Sequence, residues 1–186
     1  MTKQTIDMIV IGGSSGCIPP LVSIINSLPL SFMIPVVVII HRMKNTQSNL
    51  HGIFTSEKQI REPEDKEPVM PGVIYLAPQN YHLLFEVNHT FCMDYSEPVH
   101  YSRPSIDVTF NSAAQVYKRG ALGILLSGAN QDGAAGLNRI LQNGGRGFVQ
   151  DPQSATYPTM PLAALRQENH PEKLSPEEIV QTLLTL

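Results

Sequence analysis

The sequence predicts a doubly wound α/β domain, a mostly parallel sheet with helices on both faces and a short antiparallel hairpin insert. Three observations lead there. Unbroken β-branched runs such as Val36 to Ile40 lack the alternation of a half-exposed strand, which is the pattern of a strand covered on both faces. Helical stretches with apolar residues three and four apart alternate with those runs. Only between residues 72 and 95 do strand-like segments follow one another too closely for helical crossovers, so antiparallel pairing is expected there.

The elements follow in order. Ile6 to Ile11 reads as the first strand and runs into a Gly-Gly-Ser-Ser-Gly turn. The next helix carries Leu21, Ile24, Ile25 and Leu28 on one face, has Pro19 and Pro20 in its first turn, and stops at Pro29. Pro35 to Ile40 is the second strand, and Leu50, Ile53 and Phe54 suggest a weaker helix. Glu62 to Glu67 reads as an acidic surface loop. Gly72 to Ala77, His82 to Val87 and Thr90 to Tyr95 form the expected hairpin or meander. Ser105 then caps a helix with Ile106, Phe110, Ala113, Ala114 and Tyr117 inward, ending at Gly120. Leu122 to Leu126 is a strand, the helix after Asp132 packs through Leu137, Ile140 and Leu141, and Arg146 to Gln150 is a further strand. Ser175 and Glu178 make a capping box around Pro176 for the last helix.

Bulk properties narrow the function. At 186 residues, one domain spanning 1–186 is expected. Thirteen Lys and Arg against 16 Asp and Glu give a net charge of -3, which offers no footprint for nucleic acid. No metal-ligand spacing occurs among the six histidines and two cysteines, so no dedicated metal site is expected. Cys17 and Cys92 read as reduced thiols of a cytoplasmic protein. The uncharged stretch between Asp7 and Arg42 is broken by Gly12, Gly13, Gly16, Pro19, Pro20, Asn26, Pro29 and Pro35, so no membrane insertion is expected.

Ligands of parallel sheets collect at the carboxyl ends of the strands, and three such ends carry reactive groups. The first leads into Gly12-Gly13-Ser14-Ser15-Gly16, which fits the G-x-S-x-G pattern of an exposed nucleophile on a strand-to-helix turn. A phosphate-binding or purely structural turn fits the same residues. The second ends at His41, either a general base or a polar residue leaving the core. The third leads through Ser127 to Asp132, a carboxylate that could orient an imidazole or simply cap a helix.

These motifs stand in an ordered series. IVIGGSSG at Ile9 to Gly16, VVVIIH at Val36 to His41 and PGVIYLAPQNYH at Pro71 to His82 come first. RPSIDVTFNSAA at Arg103 to Ala114, SGANQDGAAG at Ser127 to Gly136 and QDPQSATYPTMP at Gln150 to Pro161 follow. Together they resemble the catalytic domain of the chemotaxis receptor protein-glutamate methylesterase family. The resemblance implies hydrolysis of γ-glutamyl methyl esters on methyl-accepting chemoreceptor cytoplasmic helices, with deamidation of receptor glutamines as a further activity. It places the nucleophile on Ser14, the base on His41 and the orienting aspartate on Asp132. Ser15 and the Ala129 backbone fall on oxyanion and substrate-binding positions.

Three departures accompany it. Cys17 stands where the family commonly has glycine, either as a reactive thiol at a helix start or as packing. Asn130 replaces a usual glycine, in a loop whose geometry asparagine can tolerate. No receiver domain lies within the 186 residues. Two other readings stay open, a catalytically silent binding module of the same fold and an esterase for a non-chemotaxis substrate. Arg42 and Lys44, just past His41, read as a solvated loop.

Overall fold

The computed structural model describes residues 4–41 and 50–186. Seven strands form one parallel sheet: β1 (Met8–Gly13), β2 (Val36–Ile40), β3 (Ile60–Arg61), β4 (Ile74–Leu76), β7 (Ala121–Leu125), β8 (Arg146–Gln150) and β9 (Glu172–Leu174). Their order is β3-β4-β2-β1-β7-β8-β9. A separate antiparallel hairpin pairs β5 (His82–Phe85) with β6 (Phe91–Asp94).

Alternation along β1 divides the core in two. Met8 and Val10 face a cluster with Val37, Ile39, Tyr75, Phe110 and Leu137, under helices α2 (Ile106–Tyr117), α3 (Ala134–Gln142) and α4 (Thr159–Leu165). Ile9 and Ile11 face Ile24, Ile25, Val38, Ile179 and Leu183, under α1 (Ile18–Ser27) and α5 (Pro176–Leu183). Both faces are therefore covered, which is why the central strands need apolar residues at every position. The hairpin lies on the first face, where Leu83, Phe85 and Phe91 join the cluster. Among the described residues, no helix is long and apolar enough to cross a membrane.

Several local expectations shift. The first strand runs two residues further than Ile11, so that Gly12 and Gly13 pair with Ile39 and Ile40 and the turn begins at Ser14. Leu50, Ile53 and Phe54 do not form an α-helix; a single 3₁₀ turn, His51–Ile53, stands there. The Gly72–Ala77 stretch is not part of the antiparallel insert, because its Ile74–Leu76 core pairs parallel with β2. Its partner β3 on the sheet edge is two residues long, too short to leave a periodic signal. α4 contains Pro161 and β9 is largely exposed, so neither carries the apolar pattern of the other elements.

Candidate active site

Strand register alone lines up the three reactive ends. Gly13 pairs with Ile40, and the His41 amide donates to Gly13 O at 3.4 Å, which sets His41 beside Ser14. On the other side Gly12 pairs with Leu125, and the Ser14 amide donates to Ser127 O at 2.9 Å. The chain moves from β1 to β2 on one flank and later to β7 on the other, so this edge is the topological switch point where parallel sheets open a crevice.

The turn after β1 depends on Gly16. Its φ is +77°, and an added Cβ would lie 2.7 Å from Thr156 Cβ and 2.8 Å from Ser127 Oγ. Cys17 packs inward with no exposed surface, and burial pushes its thiol up to about 12. The packing reading of Cys17 therefore holds over the reactive one. Pro19 and Pro20 remove two amides from the first turn of α1, which leaves fewer donors at that corner.

Asp132 has no exposed surface and is fully hydrogen-bonded. Its Oδ2 accepts from His41 Nε2 at 2.8 Å and from the Ile106 amide at 2.7 Å. Its Oδ1 accepts from Ser105 Oγ at 2.9 Å and from the Asp107 amide at 3.0 Å. Burial pushes its pKa up, but the His41 bond and the Asp107 and Ile106 amides more than offset it and hold the carboxyl below an ordinary aspartate. The cap of α3 is Gly133, so Asp132 does not serve its own helix; it sits on the first turn of α2. An ionised carboxylate accepts only, so the proton lies on His41 Nε2 and the ring's lone pair lies on Nδ1.

The sequence pattern of the CheB methylesterase family matches residues 9–183. This chain belongs to the CheB methylesterase family. A Leptospira interrogans protein, named provisionally as a protein-glutamate methylesterase/protein-glutamine glutaminase, is 40% identical over 182 residues, 97% of this chain and 94% of that protein. The protein-glutamate methylesterase/protein-glutamine glutaminase of Thermotoga maritima is 31% identical over 174 residues, 90% of this chain but 51% of that protein. The crystal structure of the Thermotoga maritima CheB methylesterase catalytic domain matches with a TM-score of 0.90 at 31% identity, covering 97% of this chain and 98% of that one.

The remaining positions that the family resemblance singles out lie around the same crevice. Ser15 and Ala129 are exposed, and among the described residues neither backbone amide has a hydrogen-bond partner. Ser14 is half-buried, and its hydroxyl forms no hydrogen bond among the described residues. Arg42 and Lys44 lie outside the described residues. The QDPQSATYPTMP segment braces the aspartate loop from below: Gln150 Oε1 accepts the Ser127 amide at 2.9 Å, and Tyr157 O accepts the Gly128 amide at 3.0 Å.

Three contributors were missed as such in the sequence. Ser105 reads as a helix cap and is one, but the same hydroxyl also donates to Asp132. His82 reads as an insert histidine, yet it is buried, with Nδ1 accepting the Ser105 amide at 3.1 Å and Nε2 donating to Glu97 O at 3.1 Å. Asn130 reads as a glycine substitute, yet its φ is not left-handed and its amide reaches His41. Nothing local announces these roles, since each depends on a partner 23 to 89 residues away.

Asp107 lies beyond Asp132, on the floor of a cleft of about 350 Å³ that Gln131 and Arg166 also line. Burial, reinforced by the negative Asp132, raises its pKa; the Gly136 amide at 2.6 Å and His100 at 3.5 Å act against that. His100, Asp107 and Asp132 each bring one potential ligand atom within 4.8 Å of the others. Both Asp132 oxygens already accept two hydrogen bonds, so a cation there would have to displace protein donors.

Proposed function

We propose that this chain is a serine hydrolase that demethylates γ-glutamyl methyl esters on the cytoplasmic helices of methyl-accepting chemoreceptors, releasing methanol. The observation that carries the reading is the buried Asp132 carboxylate 2.8 Å from His41 Nε2, with His41 beside Ser14 on neighbouring strands. A silent binding module has no need of a buried carboxylate aimed at a histidine on the crevice edge. Family membership and the names of the Leptospira and Thermotoga relatives support the substrate class.

In this mechanism Ser14 Oγ attacks the ester carbonyl and His41 Nδ1 takes its proton. The amides of Ser15 and Ala129, unpaired among the described residues, hold the tetrahedral oxyanion; one such donor is worth about 3–4 kcal/mol in the transition state. His41 then protonates the departing methoxide, and methanol leaves. Water, deprotonated by His41, attacks the acyl-Ser14 carbonyl and restores glutamate and the free serine. Asp132 stays ionised and stabilises the imidazolium in both steps. The same sequence on a glutamine carboxamide releases ammonia, which accounts for a deamidase activity. The reaction runs without metal or organic cofactor, in the cytoplasm, on residues 1–186 acting as one catalytic domain.

The substrate is tested with a receptor cytoplasmic fragment carrying isotope-labelled methyl esters. Time-dependent labelled methanol is expected with the wild-type protein. Turnover of a small aryl ester with no methanol from any methylated receptor would move the assignment to a non-chemotaxis esterase.

A further inference from the structure

Asn130 lies in the loop between β7 and α3, half-buried beside His41. Its Oδ1 accepts the Asp132 backbone N–H at 3.1 Å. That N–H can only donate, so it fixes which end of the amide is oxygen and leaves Nδ2 facing His41. Nδ2 lies 3.5 Å from His41 Nδ1. Because the Nε2 proton is committed to Asp132, Nδ1 carries the ring's one lone pair, and an amide N–H can only donate to it. The Ser14 hydroxyl, which must deliver a proton to that same lone pair, is unengaged among the described residues.

We propose that Asn130 is a positioning residue that occupies the His41 Nδ1 lone pair in the resting site and holds Ser14 back until the serine displaces it. The proposal rests on Ser14 as nucleophile and His41 as base. At 3.5 Å the contact is at the long limit of a hydrogen bond, so it is a weak restraint that substrate binding can break. Anchoring of Oδ1 by the Asp132 amide couples the restraint to the backbone of the orienting aspartate.

Asn130→Ala removes both amide contacts. Asn130→Ser keeps an oxygen able to accept the Asp132 amide but is too short to reach His41, so it separates the turn from the lone-pair contact. Two readouts are made on each folded protein: the ¹⁵N resonance of His41 Nδ1 and the rate at which a serine-directed phosphonate modifies Ser14. In both variants the Nδ1 resonance is expected to move toward that of a lone pair without a donor, while Nε2 stays protonated. Phosphonate labelling of Ser14 is expected to quicken by about two- to ten-fold, the value of one ordinary hydrogen bond. An unmoved Nδ1 resonance, or labelling that is unchanged or slower in Asn130→Ser, overturns the proposal. Absence of Ser14 labelling in wild type and variants alike overturns the nucleophile reading and the restraint on Ser14 with it; the nitrogen resonance then shows by itself whether the Asn130 contact exists.

Discussion

Asp132 does two jobs with one carboxylate: it orients His41 and it closes the first turn of α2. Asp132→Asn replaces one acceptor oxygen by a donor that faces N–H groups, so the His41 tautomer loses its anchor. We expect kcat to fall by about 10⁴-fold, the cost of the same Asp-to-Asn change in a comparable triad, as measured by methanol release. The pH dependence follows from the lowered folded-state pKa. A depressed carboxyl contributes stability that is full above the unfolded value of about 3.9 and is lost as pH falls through it toward the folded value. Asp107, with its raised pKa, works in the opposite sense. Urea midpoints followed from pH 6 down to pH 3 should therefore fall more steeply for wild type than for Asp132→Asn. Cys17 gives an independent check on the corner beside Ser14. Buried and pushed up to about 12, its thiol should resist alkylation in the native protein at pH 8 and react only on unfolding, as read by peptide mass spectrometry.

α2 is the element that turns packing into site geometry. Ser105 caps it, accepting the Val108 amide at 3.5 Å while donating to Asp132, and His82 holds the Ser105 amide from the hairpin side. Ser105→Ala should cost about 1 kcal/mol of stability as a lost cap. It should also lower kcat at unchanged KM, by less than Asp132→Asn, because three other donors still hold the carboxylate. α3 crosses α2 at Gly136, whose absent Cβ would lie 2.6 Å from Phe110 Cβ and 3.1 Å from Asp107 Cα. Gly136→Ala should therefore overpack this contact and destabilise by about 1–3 kcal/mol, visible as a lower thermal midpoint. At this scale the sequence reading succeeded wherever an element carries its own chemistry. Arg146–Gln150 and the Ser175–Glu178 capping box stand as read. It failed where an element borrows its stability: β3 and β9 exist only through their parallel neighbours, and the hairpin reading took in β4 because strand spacing does not reveal which partner a strand selects.

Over the whole molecule, sheet order assembles the site. Central placement of β1 between β2 and β7 brings Ser14, His41 and the loop to Asp132 to one edge, although they are spread over more than a hundred residues of chain. Strand-end position made each of the three residues visible in the sequence. Their convergence was legible only through the family resemblance, since no local pattern encodes sheet order. The bonds that tune the site, from Ser105, His82 and Asn130, were not legible, because they cross between elements. The role of Ser14 as the nucleophile of a methylesterase is read out by methanol release from a methylated receptor fragment, comparing wild type with Ser14→Ala at equal folded concentration. Wild type is expected to release methanol and Ser14→Ala to lose that release, with the circular dichroism spectrum unchanged. Release by Ser14→Ala at the wild-type rate would contradict that role.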